Sequence, residues 1–421
     1  MSTATAGSAD EIGASDEIYV ARQPILGLNQ ELHAYELLYR SSRENVFDGS
    51  DATTATSRLV TNSLLTIGLE HLVGEKRAFV NFGRKLLVDG YAQLLPKGAV
   101  VIEILEDIEP DAEVLRACED LKRKGYTLAL DDFVSADGYE DLLQLADIVK
   151  VDLRLATVEQ QRELINRVSS LSLGLLAEKV ETHEEFAAAA ELGYTMFQGY
   201  FFSRPQIVPG RQIPGFKLNY MRILKEVSNP ELDFSRIEQV VKSEASLVHK
   251  LLRYVNSASF GWKRDVESIR HALALLGETE IRKWISLATV AGIASDKPQQ
   301  LVIDAVMRGR FCESLSRTLG LAARSSDYFL AGMYSLLDAL LDQPMSEVVE
   351  EVHLAGDVRE VLLGKPAATR GLGEALALAR AYERADWDAI DAVAGSLGLG
   401  LQEIAQSYLE ATEWADQVFK S

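Results

Sequence analysis

Short apolar runs, each closing on a polar residue, recur through the first half of the chain. Ala78-Phe79-Val80 closes on Asn81, Val100-Val101-Ile102 on Glu103, and Leu128-Ala129-Leu130 on Asp131 and Asp132. Ile148-Val149 closes on Lys150, Leu173 to Ala177 on Glu178, and Met196-Phe197 on Gln198. Helical spacing fills the gaps, as from Lys85 to Leu95 and from Pro110 to Gly125. Runs this short predict buried strands, and strands alternating with helices predict a parallel sheet. Ahead of them, Ile18 to Ile25 and Leu32 to Arg40 flank a Gly27-Leu28-Asn29 break, which predicts a hairpin. On its second strand Glu36, Leu38 and Arg40 share one face by the period of two. Helical spacing returns from about Asp51 to Leu72.

The pattern changes after Pro205. Three prolines (Pro205, Pro209, Pro214) and two glycines (Gly210, Gly215) punctuate a linker over about 205–215. Beyond it, apolar residues recur at i, i+3, i+4 in Phe216 to Val227, Phe234 to Ser243, Ser246 to Asn256, Ser268 to Leu276 and Thr279 to Ala291. Ser246 and Ser268 are expected N-caps. Leu372 to Tyr382 and Leu401 to Trp414 continue the helices. The expected divisions are a disordered tail over 1–15, an α/β barrel over 16–206 and an all-helical half over 207–421.

Two adjacent carboxylates at a strand end are costly to desolvate unless a cation receives them. In a closed α/β barrel the C-terminal strand ends ring one opening, so distant residues meet there. Asn81, Glu103, Asp131, Asp132, Lys150, Glu178 and Gln198 would form that ring, with Glu36 joining from the hairpin. Carboxylates and an amide oxygen are hard ligands that suit Mg²⁺ or Mn²⁺. A shared aspartate with separate acids on either side suits a two-metal site for in-line displacement at phosphorus, and a lysine nearby would steady the hydroxide. The residues therefore describe a metal-assisted phosphodiester site, or the remains of one.

Composition narrows the classes. The chain has 421 residues, and its net charge of -20 argues against a nucleic-acid surface. Two cysteines without a CxxC partner suit a reducing, cytoplasmic setting. No apolar run has the length of a membrane span, and the first fifteen residues lack the apolar core of a signal peptide. Arg282, Lys283 and Trp284 read as a solvated helix face, with a partner-facing patch as the alternative.

Gln23-Pro24-Ile25, Glu36-x-Leu38-x-Arg40, Asn81, Glu103-x-x-Glu106, Asp131-Asp132-Phe133, Lys150-x-Asp152, Glu178-x-Val180-Glu181 and Gln198-Gly199-Tyr200 resemble the ordered motifs of EAL domains. These are cyclic-di-GMP phosphodiesterases and receptors on a TIM-like barrel with one antiparallel strand. The resemblance implies that Glu36, Asn81, Glu103 and Asp131 hold one Mg²⁺ or Mn²⁺, with Asp131 shared, and that Asp132 and Glu178 serve a second. It assigns Lys150 and Gln198 to the attacking water, Gln23, Arg40 and Glu181 to the dinucleotide, and Glu106 to loop support. A homodimer through the barrel is plausible on the same ground. Two departures stand out. The loop after Phe133 reads Val134 to Asp141 in place of a glycine-rich run, and Lys179 stands where a glycine is expected. Asn256-Ser257 and the Leu276-Gly277 turn resemble an HDOD domain, an all-α relative of metal phosphohydrolases. No His-Asp pair accompanies them, so a metal-free protein-interaction role is expected. Three readings follow: a cyclic-di-GMP receptor that hydrolyses slowly or not at all, a competent phosphodiesterase, and a ligand-free scaffold.

Overall fold

The computed structural model describes residues 18–41, 68–133, 138–206, 213–229, 231–243, 245–256, 266–352, 354 and 356–420. Eight strands close into a barrel in chain order: β1 (Ile18–Gly27), β2 (Leu32–Ser41), β3 (Arg77–Phe82), β4 (Val100–Ile104), β5 (Thr127–Leu130), β6 (Ile148–Asp152), β7 (Gly174–Glu178) and β8 (Met196–Gln198). The first strand runs antiparallel to both neighbours, and every other pair is parallel. A short hairpin can only reverse the chain, whereas a helical crossover brings it back parallel. The reversal is made at Gly27, whose N–H donates to the Glu31 carbonyl at 2.9 Å, with Gln30 at φ 59°.

Local chemistry sets the crossover helices. Asp111 caps Ala112–Lys124 by accepting from the N–H groups of Glu113 and Val114, and Gly125 ends it in the left-handed region. Thr157 with Gln160 and Thr182 with Glu185 form capping boxes that start Val158–Val168 and His183–Leu192. The helix expected over Lys85 to Leu95 is broken: Arg84–Val88 is α-helical, Gly90 turns at φ 79°, and Tyr91–Leu94 is a 3₁₀ turn. Of the helix expected from Asp51 to Leu72, residues 51–67 lie outside the described residues, while Leu69–Val73 is helical. The Val134 to Asp137 part of the loop after Phe133 also lies outside them.

One apolar layer plugs the barrel with a single residue from each strand: Ile25, Ala34, Phe79, Val101, Ala129, Ile148, Leu176 and Met196. Inward positions recur every second residue on a strand. Two residues on, toward the mouth, stand Glu36, Asn81, Glu103, Asp131, Lys150, Glu178 and Gln198. On the reversed β1 the matching position is Gln23, which pairs with Glu36. The polar ring is thus one layer above a sealed floor.

The second half is helical, as expected. Ser268 caps a helix by accepting from the His271 N–H, and the two helices expected here meet within Ile269–Ile293 at Gly277, whose φ of 72° and ψ of 174° are not helical. The expected cap Ser246 has a side chain outside the described residues. Arg282, Lys283 and Trp284 do not form a solvated face. Arg282 and Trp284 are buried. Arg282 donates to the Val227 carbonyl and, at 2.7 Å, to that of Asn229, while Lys283 pairs with Glu313. A helix packed on several sides has no free face, which its own sequence does not reveal.

The two halves share a core. Barrel residues such as Tyr35 and Leu37 belong to one cluster with Met307, Phe311 and Tyr408 of the helical half. Arg22 is buried between them. It donates to the Leu72 carbonyl, lies over the Tyr35 ring at 4.4 Å, and has an N–H group 3.1 Å from the Met307 sulfur. Tyr35 donates to Gln300 Oε1 at 3.2 Å. Among the described residues, no helix is long and apolar enough to cross a membrane.

Candidate functional site at the barrel mouth

Lys150 is the centre of the mouth. It projects from β6, fully buried, with Nζ 2.7 Å from Glu103 Oε1, 2.7 Å from Asp131 Oδ1, 2.9 Å from Glu178 Oε1 and 3.6 Å from Glu36 Oε2. Burial alone would discharge the ammonium, but Asp131, Glu103, Glu178 and Glu36 together hold its pKa well above the ordinary lysine range. Burial, and then the charge of Glu36, pushes the Glu103 carboxyl well up. Burial does the same to Glu178, against the pull of Lys150. Asp132 is also raised, by burial and by Asp131 beside it.

Glu36 is fixed by two amides. Asn81 Nδ2 donates to its Oε1 at 3.2 Å and Gln198 Nε2 to its Oε2 at 2.6 Å. Gln198 also donates to Gln23 Oε1 at 2.9 Å, which ties β1 into the ring. Several oxygens are left over: Asn81 Oδ1, Gln198 Oε1, Glu103 Oε2 and Glu178 Oε2 are buried without a protein hydrogen bond. Buried acceptors without donors are costly, so such a set is suited to receive a cation. Oxygens of Asp131, Asp132 and Glu178 lie within 4.8 Å of one another, a spacing that one metal ion can bridge. An all-oxygen donor set fits Mg²⁺ or Mn²⁺.

The backbone here is strained. Asp132 has φ 41° and Lys179 φ 54°, in the left-handed region that non-glycine residues rarely adopt. Lys179 turns its ammonium to the buried Asp152. Gly199 follows β8 at φ 147°, where a Cβ would stand 2.0 Å from the Val180 carbonyl oxygen. Only glycine fits there.

The remaining sequence candidates divide. Gln23 and Glu181 line the cleft above the ring, and Glu181 pairs with Arg204 at 2.9 Å. Glu106 is exposed, its carbonyl accepting from the Tyr139 hydroxyl at 3.3 Å. Arg40 turns away from the cleft into the helical half, where it donates to Asp391 Oδ2 at 2.6 Å and to the Trp387 carbonyl at 3.2 Å.

The cleft holds about 680 Å³, and the helical half roofs it with Arg308, Ser335, Asp338, Arg380 and Arg384. A volume of this size is typical of small-molecule sites. Arg308 grips Glu383 with two nitrogens, at 2.7 and 2.8 Å, and Tyr200 next to the ring donates to the Glu383 carbonyl at 2.6 Å. None of these roof residues is signalled in the sequence. Helical periodicity marks an apolar face but not what lies across from a polar one.

A family model for the EAL domain matches residues 62–205, and one for the HDOD domain matches residues 213–354. Cyclic di-GMP phosphodiesterase CdgJ of Vibrio cholerae is 36% identical over 405 residues, covering 95% of this chain and 93% of its own. The chain belongs to the EAL–HDOD family. An uncharacterized member, YuxH of Bacillus subtilis, is 35% identical over 94% of this chain and 98% of its own. Among solved structures, a standalone EAL protein of Vibrio cholerae in its c-di-GMP-bound form is 26% identical, covering 45% of this chain and 92% of that one, with a TM-score of 0.35. The EAL match begins after Gln23, Glu36 and Arg40, and the structure nonetheless brings Gln23 and Glu36 to the ring.

Proposed function

We propose that the EAL barrel binds cyclic-di-GMP together with Mg²⁺ or Mn²⁺, hydrolyses it slowly or not at all, and passes its occupancy to another protein through the HDOD half. The observation that carries this reading is the convergence of hard oxygens on one buried lysine beneath a cleft. Glu36, Asn81, Glu103 and Asp131 would hold one ion, with Asp131 shared, and Asp132 and Glu178 a second. Bound metal would supply Lewis-acid stabilisation at the phosphodiester. Lys150 and Gln198 would orient the attacking water, with Glu178 beside them. Gln23 and Glu181 would contact the dinucleotide, while Arg40 reaches it only by leaving Asp391.

Slow turnover is supported by two features, Lys179 where the EAL motif carries glycine and the roof over the mouth, whereas Lys150 and Glu178 in place together favour faster turnover. Small displacements of reacting groups reduce rate more than affinity. The name of the whole-length relative CdgJ favours a second reading, a fully competent phosphodiesterase. Purified full-length protein, Mn²⁺ and labelled cyclic-di-GMP decide between them. Saturable binding with turnover below about one per second supports the first, since ordinary enzymes run at that rate or faster. Faster turnover establishes the second. Absence of binding removes both. Glu36→Ala should abolish any metal-dependent hydrolysis, and unchanged turnover would overturn the site assignment.

A further inference from the structure

The cations around the cleft are unequally satisfied. Lys150 is ringed by carboxylates, Lys179 pairs with Asp152, Arg204 with Glu181 and Arg308 with Glu383. Arg380 and Arg384 remain. Among the described residues, no carboxylate lies within ion-pair distance of either guanidinium, although both line the cleft. Both stand at the C-terminal end of the Leu372–Glu383 helix, in the roof. Arg384 is exposed, with its guanidinium 5.3 Å above the ring of Tyr200, the residue that follows Gly199 at the mouth. Arg380 is partly buried. Burial and then the like charge of Arg308 depress its pKa, and the charges of Glu383 and Asp338 do not restore it.

A partly buried guanidinium without a counter-ion is unfavourable unless an anion arrives. Guanidinium matches phosphate geometry with two parallel hydrogen bonds. The floor opposite is acidic and would repel an anionic ligand but for bound metal. Arg40, the cation that the EAL motif would place on a dinucleotide, is engaged by Asp391.

We infer that the C-terminal helices, beyond the residues 213–354 matched by the HDOD model, complete the ligand site, with Arg380 and Arg384 taking a phosphodiester group of the dinucleotide from the roof while the barrel takes it through metal from the floor. The inference rests on cyclic-di-GMP being the ligand of the cleft. It makes the barrel mouth a site shared by both halves, so ligand occupancy is felt directly by the helices.

The test is calorimetric titration of cyclic-di-GMP into full-length protein in Mn²⁺, comparing wild type, Arg380→Gln, Arg380→Lys and Arg384→Ala. Each neutralising variant should lose about tenfold or more in affinity, as expected for a charge-assisted phosphate contact. Arg380→Lys should recover part of it. Mn²⁺ uptake without nucleotide should be unchanged in all four. Arg384 is exposed, so Arg384→Ala decides alone if Arg380→Gln does not fold. Wild-type binding with both neutralising variants within twofold of it overturns the inference and leaves the proposed function standing. Loss of Mn²⁺ uptake along with affinity also overturns it, by making the arginines structural supports. A wild type that binds no cyclic-di-GMP removes the proposed function and this inference with it.

Discussion

Lys150→Met keeps most of the side-chain volume and removes one buried charge. In the metal-free protein that charge stands 2.7 Å from Glu103 and Asp131, 2.9 Å from Glu178 and 3.6 Å from Glu36. Breaking a buried ion pair by removing one partner costs about 3–5 kcal/mol. Protonation limits the loss here, because burial already holds the Glu103 and Glu178 carboxyls well above their usual range. The expected loss at pH 7.5 in EDTA is about 3 kcal/mol, at the low end of that span and a large part of a typical total stability. Unfolded glutamates lose their protons near about pH 4.3, whereas folded Glu103 and Glu178 keep theirs to higher pH. The native state therefore binds more protons above that value, and stability falls as pH rises. Removing the ammonium raises both carboxyls further and steepens the fall, so the gap between variant and wild type should narrow toward pH 5. Mn²⁺ should stabilise the variant more than the wild type, since no ammonium has to be displaced. Urea unfolding at pH 5, 6 and 7.5, in EDTA and in Mn²⁺, measures each term. A loss under about 1 kcal/mol at pH 7.5 in EDTA, or one that Mn²⁺ leaves unchanged, would refute the reasoning.

Other outcomes follow from single contacts. Burial and the nearby Glu383 raise Asp304 to about 7, while its unfolded pKa is about 3.9. Its contribution to stability is therefore lost as pH rises between those values, and Asp304→Asn should add on the order of 4 kcal/mol at pH 8 and nothing at pH 3.5, read by chemical denaturation. Gly332→Ala would place a Cβ 2.3 Å from the Arg308 carbonyl oxygen. It should cost about 2–3 kcal/mol in the same assay, because the Gln299–Thr318 and Ser325–Tyr334 helices must separate. Asp391→Ala removes the ion pair that holds Arg40, leaving its bond to the Trp387 carbonyl, and should tighten cyclic-di-GMP binding about fivefold by calorimetry; unchanged affinity would confine Arg40 to the contact between halves.

Much of the barrel is legible in the sequence because two periods coincide. Strand alternation puts Phe79 in the floor and Asn81 in the ring, and likewise Val101 with Glu103 and Ile148 with Lys150. The order of short runs gives the closed barrel, and the Gly27 break gives its reversed strand. What stays hidden is long-range. Nothing near Arg40 announces Asp391, and nothing in the Leu372–Glu383 helix announces that its last turn faces the mouth. Lys85 to Leu95 keeps helical apolar spacing across Gly90, so the break is a backbone event that the pattern does not carry. Arg282 to Trp284 read as solvent-facing because charge usually marks a surface, but here the Arg282 guanidinium satisfies buried carbonyls.

Manganese uptake by the full-length protein, followed by electron paramagnetic resonance without nucleotide, tests most directly whether acids from separate strands share metal at one mouth. Wild type should take up two ions per chain, and Asp131→Ala, which removes the carboxylate proposed to be shared between them, should lose both. Equal uptake by the two proteins would contradict the account.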